Sequence, residues 1–493
     1  MTASLAHPVI IQGGMGVGVS DWVLAKAVSM RGQLGVVSGT ALDTLFVRRL
    51  QDGDIGGDLR RAMEHFPIPG VASDILKRYF VPAGERGDAP YKPVPMYKQV
   101  VSRVRHQLTM MANFCEVWLA KEGHEGKVGI NLLTKVQMPN LGSLYGAMLA
   151  GVDYVLMGAG IPKEIPGVLD RLAEHRAASI KLDVEGLGRD EAEYLTFDPL
   201  EHWEHAPPPP LNRPYFFPII ASNSLAMMLA RKSSGRVDGF VVEGPTAGGH
   251  NAPPRGELRL NERGEPIYTE RDEVDLQKLG ELGLPFWLAG GTGAPDKLVE
   301  ALERGAAGIQ VGTLFAYSRE SGIRPDLKRE VLGQAAAGPV DVLTDSRASP
   351  TGFPFKIVQL PGTVANEEVY LARERICDLG YLRTAYRIEG GRLGYRCPAE
   401  PVDTYVKKGG DLSDTVGRKC LCNALLADIG RGQVRNGGIV EKPLLTSGDD
   451  LRKIGEFARG RLDYTAAEVI DYLLSGLEGR QIERHAYEEA TAG

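Results

Sequence analysis

Three features are scarce in this sequence, and each scarcity excludes a class of protein. Only five cysteines occur in 493 residues, too few for a secreted scaffold held together by disulfides. The 57 Lys and Arg residues do not outnumber the 63 Asp and Glu residues, so no nucleic-acid-binding surface is indicated. No run of about 18 apolar residues is present, so we expect no membrane span.

The N-terminal stretch lacks a targeting pattern. Residues 1–8 contain no basic segment followed by an apolar one, so we expect no signal peptide and a cytoplasmic location. The chain is longer than one ordinary domain and suits a barrel of about 250 residues with additions. A homo-oligomer stays an open alternative, because nothing in the sequence decides the oligomeric state.

Glycine, by contrast, is abundant, and many of the 61 glycines directly follow short apolar runs. Such runs are typical of parallel strands buried on both faces, and helical patterns lie between several of them. This alternation predicts an α/β fold, a TIM (β/α)8 barrel with large insertions. Nine runs compete for eight strands, with the fifth and sixth as the doubtful pair: Pro8–Gln12, Leu34–Val37, Val128–Leu133, Val152–Met157, Ala178–Val184, Phe217–Ala221, Gly239–Val242, Phe286–Leu288 and Gly308–Val311.

Insertions and a C-terminal extension account for the remaining length. We predict the barrel over residues 1–345, with insertions at about 52–126, 185–215 and 251–281, and a mixed, mainly helical extension over 346–493. The first insertion contains a predicted helix, Gln99–Lys121, and the third a hairpin over Leu258–Tyr268. Thr465 and Glu468 predict a capping box for one C-terminal helix, and Ser447 a cap for a helix over Asp449–Arg459. The stretch 349–356 either covers the edge of a bound cofactor or is a packed linker, and the linker is the preferred interpretation.

Two glycine turns, about twenty residues apart, each follow an apolar run. Glycine lets backbone N–H groups approach an anion closely, and a helix N-terminus adds favourable potential. Two successive turns of this kind form one phosphate site after strands seven and eight of many TIM barrels. One such turn alone could be explained by glycines that only make the chain turn tightly, but two turns at this spacing favour a phosphate site. The residues of the predicted site are Ala289, Gly290, Gly291, Gln310, Gly312 and Thr313.

The first strand candidate ends in Gln12-Gly13-Gly14-Met15-Gly16, which is not a dinucleotide-binding fingerprint. Val19 stands where the third glycine of G-x-G-x-x-G should be, and no acidic residue closes the second strand. Small residues at a barrel strand end could instead let a flat ring lie against the backbone.

His250 follows the glycine pair Gly248-Gly249 after another strand candidate. Histidine is the side chain best suited to exchange protons near neutral pH, and active sites of barrels lie at the carboxyl ends of their strands. A lone histidine is more often structural, but this position favours a catalytic role. The other eight histidines lie in no comparable setting.

Taken in order, these motifs resemble one enzyme family. Gln12–Met15, Asn131, Ala247–His250, Ala289–Gly291 and Gln310–Thr313 follow one another as in the nitronate monooxygenase (2-nitropropane dioxygenase-like) family, and FMN-dependent enoyl-acyl carrier protein reductases share the pattern. The similarity covers about residues 8–320. It implies FMN near Gly13, Gly14, Met15 and Asn131, its phosphate at the two turns, Gly249 beside the flavin and His250 as the catalytic residue. The chain departs from the family in its greater length and in Gly14, where many relatives have proline.

The resemblance leaves two chemistries open, and the sequence adds a third possibility. The first is oxidation of a nitroalkane or nitronate, with oxygen reoxidising the flavin. The alternative is an enoyl reductase that uses NAD(P)H and acts on an acyl thioester or polyketide intermediate. The third is a non-catalytic flavin-fold protein, against which the intact His250 and both phosphate turns argue.

Cysteines are few but unevenly placed. Cys115 stands alone and is expected to be a buried core thiol. The other four, Cys377, Cys397, Cys420 and Cys422, lie within one short stretch of the C-terminal extension. Four thiolates could hold zinc or an iron–sulfur cluster, but the C-x2-C pairs typical of such sites are absent. Structural thiols or a redox pair remain the alternatives.

Overall fold

The computed structural model describes residues 7–203 and 207–478. Residues 1–6 of the stretch used for the targeting expectation, and His205 and His485 among the histidines, lie outside the described residues. Within those two ranges, no helix is long and apolar enough to cross a membrane.

Eight parallel strands form a nearly closed barrel, as the sequence predicts. Their order around the sheet is β1-β8-β7-β6-β5-β4-β3-β2. The ring closes where Ile11 bridges Leu34, directly before β2, and where the Gln12 N–H donates to the Leu34 carbonyl at 2.9 Å. The strands, numbered in chain order, are β1 Ile10–Gln12, β2 Gly35–Ser38, β3 Val128–Leu133, β4 Tyr154–Gly158, β5 Tyr215–Ile220, β6 Phe240–Glu243, β7 Phe286–Ala289 and β8 Gly308–Val311.

The doubtful pair of strand candidates is resolved by burial. Ala178–Leu182 alternates buried and exposed residues and pairs antiparallel with Glu193–Phe197 outside the barrel. Tyr215–Ile220 is buried on both faces over most of its length and takes the fifth barrel position between β4 and β6. A strand covered on one face only cannot occupy a barrel wall that helices surround.

Helices cover the outside of the barrel. The predicted long helix before β3 begins at Arg103 rather than Gln99, because Ser102 caps it by accepting from the Arg105 N–H. The helices up to residue 337 are Trp22–Ser29, Leu42–Gln51, Asp58–Glu64, Val71–Tyr79, Arg103–Lys121, Asn140–Leu149, Ile165–Ala173, Asn223–Lys232, Leu276–Gly280, Pro295–Glu303, Thr313–Ala316 and Pro325–Ala337.

Side chains, rather than a channel, fill the barrel interior. Residues such as Val36, Leu156 and Phe217 form an inner cluster separate from the larger core between strands and helices. At the end where the strands begin, the His7 ring contacts several aromatic rings, and its Nδ1 lies 2.9 Å from the Tyr154 hydroxyl. The N-terminal segment therefore closes this end, and the carboxyl ends of the strands form the opposite one.

Residues beyond the barrel form short elements packed against it. Val342–Asp345 pairs antiparallel with Phe355–Val358, and Thr384–Arg387 lies between Leu393–Arg396 and Val184–Glu185. The hydrogen bonds around Asn261 confirm the hairpin-like turn predicted in the third insertion. The C-terminal helices are Glu367–Ala372, Val402–Lys407, Leu421–Asp428, Ile454–Ala458 and Ala466–Leu474.

One of the two predicted helix caps is present. Thr465 and Glu468 form the predicted capping box. The cap at Ser447 is wrong, because the chain over Asp449–Lys453 is a 3-10 helix and Ser447 Oγ instead lies 2.8 Å from the Tyr317 hydroxyl.

Candidate active site

The end of β1 is fastened to its neighbours by side chains. Gln12 is fully buried, accepts from the Val36 N–H at 3.0 Å and donates to Ser20 Oγ at 2.8 Å. Asn131 Nδ2 on β3 donates to the Gly14 carbonyl at 3.0 Å. A Cβ at Gly14 would lie 2.4 Å from Asn131 Cβ, so a side chain at this position would displace β3 or its asparagine. The two predicted residues are therefore adjacent, and glycine is required between them.

The two predicted phosphate turns lie side by side at the carboxyl ends of β7 and β8. Gly290 and Gly291 have φ of 90° and 69°, a left-handed backbone that favours glycine. Thr292 Oγ1 donates to the Gln310 carbonyl at 2.8 Å and joins the turns. Within the described residues, the backbone N–H groups of Gly291, Gly312 and Thr313 donate no hydrogen bond. Free N–H groups at adjacent glycine turns are what an anion site requires.

The residues that follow β1 lie close to the second phosphate turn. A Cβ built at Gly13 would lie 3.5 Å from Gly312 Cα, and one at Gly312 would lie 3.4 Å from the Met15 sulfur. Ala289 ends β7, next to Gln310 on β8. The residues predicted from three separate stretches of sequence thus come together at one end of the barrel.

His250 lies at the same end in an enclosed, aromatic environment. Its Nε2 lies 2.6 Å from Ser349 Oγ, and its ring meets those of Phe353 and Phe355 edge-on. Desolvation by burial lowers the pKa of His250 to about 4. The imidazole is therefore neutral near pH 7.

The interpretation of residues 349–356 as a simple linker is wrong. This stretch supplies Ser349 to the His250 ring, and the backbone of Phe355 bridges to that of His250. The Lys356 N–H donates to the Gly249 carbonyl at 3.0 Å. The stretch is thus a wall of the site that positions the histidine.

A second C-terminal stretch that sequence reasoning missed, Thr446–Asp450, covers the phosphate turns. Thr446 Oγ1 accepts from the Gly249 N–H at 2.9 Å, and the Gly448 N–H donates to Thr313 Oγ1 at 3.0 Å. A Cβ at Gly248 would lie 2.7 Å from the Gly448 nitrogen. Only glycine at 248 admits so close an approach, whereas Gly249 is favoured by its left-handed φ of 78°. No local sequence signal indicates that this distant stretch covers the turns.

Glu243, at the carboxyl end of β6, is another site residue that the motifs did not single out. Burial raises the pKa of its carboxyl to about 8. It lines a pocket with Tyr268 and Arg255 of the third insertion, beside the loop that leads to His250. Its place at the carboxyl end of a barrel strand was the available signal, because TIM-barrel enzymes take their catalytic residues from these ends.

Comparison with known proteins shows which family part of the chain resembles. Residues 214–345 match the family model described as nitronate monooxygenase. This stretch includes Gly249, His250 and both phosphate turns. This part of the chain is nitronate monooxygenase-like. The resemblance seen in the motifs is thereby confirmed over the second half of the barrel.

No curated protein matches the chain. Solved structures with similar architecture include FabK from Thermotoga maritima, at 16% identity and a TM-score of 0.46, over 96% of this chain and 93% of that one. A nitroalkane oxidase from Streptomyces ansochromogenes has 15% identity and a TM-score of 0.40, over 95% of each chain. The enoyl reductase domain of MlnA, from the macrolactin biosynthesis cluster of Bacillus amyloliquefaciens, has 12% identity and a TM-score of 0.46, over 95% and 93%.

The nitronate monooxygenase-like site has features that fit FMN. Besides the free N–H groups of the phosphate turns, two buried amide oxygens, Asn131 Oδ1 and Gln310 Oε1, have no hydrogen-bond partner. An unpaired buried acceptor is costly unless a ligand supplies a donor, and FMN carries hydroxyl and N–H donors. The N–H donors at the turns fit the phosphate of this cofactor, and the unpaired acceptors on β3 and β8 fit its hydroxyl and N–H donors.

One acidic residue lies beside the predicted phosphate turns, and it provides a test of the phosphate assignment. Asp450 Oδ2 accepts from the Gly293 N–H at 3.1 Å, at the start of the helix after β7, and burial raises the pKa of Asp450. Removing this charge in Asp450→Asn should strengthen FMN binding about three- to tenfold, because a carboxylate beside the turns repels phosphate. Titration of apoprotein with FMN, followed by flavin fluorescence, measures the change.

Glu281→Gln is the matched control. This exposed carboxylate precedes β7, at the opposite end of the barrel, and its replacement removes the same charge. The variant should not tighten FMN binding. Equal affinities of Asp450→Asn and the unmodified protein would contradict the placement of phosphate at these turns.

The structure bears differently on the two predictions made for the cysteines. Cys115 is buried, as expected for a core thiol. The other four line one small cavity together. Across residues 7–203 and 207–478, no three His, Cys, Asp or Glu side chains are placed to hold a single metal ion, so the zinc alternative has no support.

Proposed function

We propose that the protein is an FMN-dependent oxidoreductase that oxidises a nitroalkane, a nitronate or a related small substrate. The observation that carries the proposal is the convergence of the family-matched residues: Gly249, His250 and both phosphate turns meet at one end of the barrel. Fold alone would not indicate an activity, since many functions share the TIM barrel.

His250 is the group we propose for proton transfer. In the tautomer whose Nε2–H donates to Ser349 Oγ, the ring keeps a lone pair on Nδ1 and can accept the acidic α-proton of a nitroalkane. For a nitronate, which has already lost that proton, the site would bind the oxygens by hydrogen bonds. FMN, when bound, supplies the redox chemistry, and the protein positions the substrate and excludes water.

Ser349 holds the imidazole in a fixed orientation. Its Oγ lies 2.8 Å from Thr351 Oγ1, so a short chain of hydroxyl groups runs from His250 into the wall segment. Because this wall lies about one hundred residues beyond the histidine in sequence, its effect on the pKa of His250 arises only in the folded chain.

The pH dependence of turnover should reveal both buried groups. The lowered pKa of His250, about 4, leaves the imidazole uncharged above pH 5, so base catalysis should fall only as pH drops toward 4. The raised pKa of Glu243, about 8, keeps this carboxyl protonated at pH 7 and lets it ionise as pH rises through 8. We expect kcat/KM for a nitronate to be flat between about pH 5 and 7 and to fall as pH rises through about 8, because the ionised Glu243 repels the anionic substrate.

Glu243→Gln separates the two limbs of the profile. This variant should lose the transition near pH 8 and keep the acid limb. A transition that persists unchanged in Glu243→Gln would assign it to another group.

An anaerobic assay separates the proposed oxidation from the reductase alternative. The holoenzyme is mixed with an alkyl nitronate or, separately, with NADH or NADPH, and the absorbance of the flavin is followed. Bleaching by the nitronate alone is the expected result. Rapid bleaching by a nicotinamide, with none by the nitronate, would replace the proposal with the enoyl reductase. Protein that takes up no FMN would refute both.

A further inference from the structure

The four C-terminal cysteines converge although they come from three separate stretches of chain. Cys377 follows the helix Glu367–Ala372, Cys397 follows the strand Leu393–Arg396, and Cys420 and Cys422 open the helix Leu421–Asp428. All four side chains line one small cavity, whose other walls include Leu379, Leu382, Arg383 and Pro350. None of the four forms a disulfide.

One sulfur atom in this cavity has a hydrogen-bond donor beside it. Asn423 Nδ2 lies 3.5 Å from Cys420 Sγ, which also lies 3.9 Å from the Ile376 carbonyl. Donors of this kind stabilise thiolates bound to iron and tune the potential of a cluster.

The charges around the cavity also favour an anionic occupant. Among the residues that line the cavity, Arg383 carries a positive charge. The two nearby carboxylates are already paired: Glu400 lies 2.7 Å from Lys408 Nζ, and Asp378 lies 2.6 Å from Arg435. The unneutralised charge facing the thiols is therefore positive.

We propose that Cys377, Cys397, Cys420 and Cys422 bind an iron–sulfur cluster. Four thiolates are the usual ligand set of both the two-iron and the four-iron cluster. A tetrahedral zinc site would require its four sulfurs within about 3.8 Å of one another, at a Zn–S distance of about 2.3 Å. A cluster distributes its ligands over several iron atoms, so it fits thiols that surround a cavity without closing on one ion.

The site lies directly behind the wall that positions His250. Pro350 lines the cavity, and the preceding Ser349 contacts the histidine ring. The Lys419 N–H donates to the Ala348 carbonyl at 2.9 Å and ties the chain before Cys420 to this wall. The elements here are short, and a four-ligand cluster would cross-link three of their connections beside the active site.

Chemical analysis of the full-length protein, produced and kept anaerobic, tests the proposal. We expect about two or about four iron atoms per chain, with as many sulfides, and a fast-relaxing paramagnetic signal after dithionite reduction that is distinct from a flavin radical. Folded protein without iron and sulfide, protein with one zinc per chain, or a disulfide among the four cysteines found by mass spectrometry would each overturn it.

Single serine variants assign the ligands. Cys377→Ser, Cys397→Ser, Cys420→Ser and Cys422→Ser should each lose at least half of the iron, whereas Cys115→Ser, which removes the buried thiol of the helix Arg103–Lys121, should keep all of it. Iron retained in full by a correctly folded variant would exclude that cysteine as a ligand. Because these measurements need neither FMN nor turnover, their failure leaves the proposed flavin chemistry untouched.

Discussion

His250→Ala should bind FMN as tightly as the unmodified protein and lose turnover of a neutral nitroalkane by about 10²- to 10⁴-fold. The loss follows from the removal of the neutral imidazole that Ser349 orients at the carboxyl end of the barrel. FMN should stay because its proposed phosphate and ring contacts come from other residues. Steady-state kinetics together with flavin content per chain measure both quantities.

Two further variants test the reason for this loss. His124→Ala removes a histidine whose Nε2 bonds the Ala120 carbonyl before β3, at the opposite end of the barrel, and turnover should be unchanged. Ser349→Ala should lower turnover by about tenfold, because the ring loses the hydrogen bond that orients it. The acid limb of the pH profile should stay in place, because burial lowers the pKa of His250. Turnover of His250→Ala within about twofold of the unmodified protein would remove this histidine from the mechanism.

Gly291→Asp should produce protein that cannot retain FMN. A side chain here would be strained at φ of 69°, and its Cβ would lie 3.2 Å from Thr246 Oγ1. Its carboxylate would face the phosphate, a repulsion of about 1–4 kcal/mol, which corresponds to roughly fivefold to thousandfold weaker binding. Flavin content after purification and titration with added FMN measure the loss.

Gly283→Asp is the matched control for the strain of this substitution. Gly283 has the same φ of 69°, nothing lies within 4 Å of a Cβ built there, and it precedes β7 at the opposite end of the barrel. Both variants should lose similar stability, measured by thermal unfolding without FMN, but only Gly291→Asp should lose the cofactor. Full FMN occupancy in Gly291→Asp would show that the phosphate binds elsewhere.

The fold was largely predictable because its signals are local. Short apolar runs that end in glycine, alternating with helical patterns, indicate a parallel α/β barrel wherever their partners lie. The two glycine turns and Gly249-His250 were predictable for the same reason, since each motif is continuous in sequence. The fifth strand was ambiguous because Ala178–Leu182 has the composition of a barrel strand, and only packing decides that one of its faces stays exposed.

What only the tertiary structure decided is how distant stretches meet. Ser349 reaches His250 across about one hundred residues, and Gly448 reaches Thr313 across more than one hundred. Such contacts leave no pattern in the local sequence. The altered pKa values of His250 and Glu243 result from burial, which arises only when the chain folds. The four cysteines lacked a recognisable spacing because their cavity is formed by three loops. The sequence by itself determined the barrel, the two glycine turns and the position of His250 in the chain. Only folding determined the charge of His250, the wall segment that contacts it, and the convergence of the four C-terminal cysteines on one cavity.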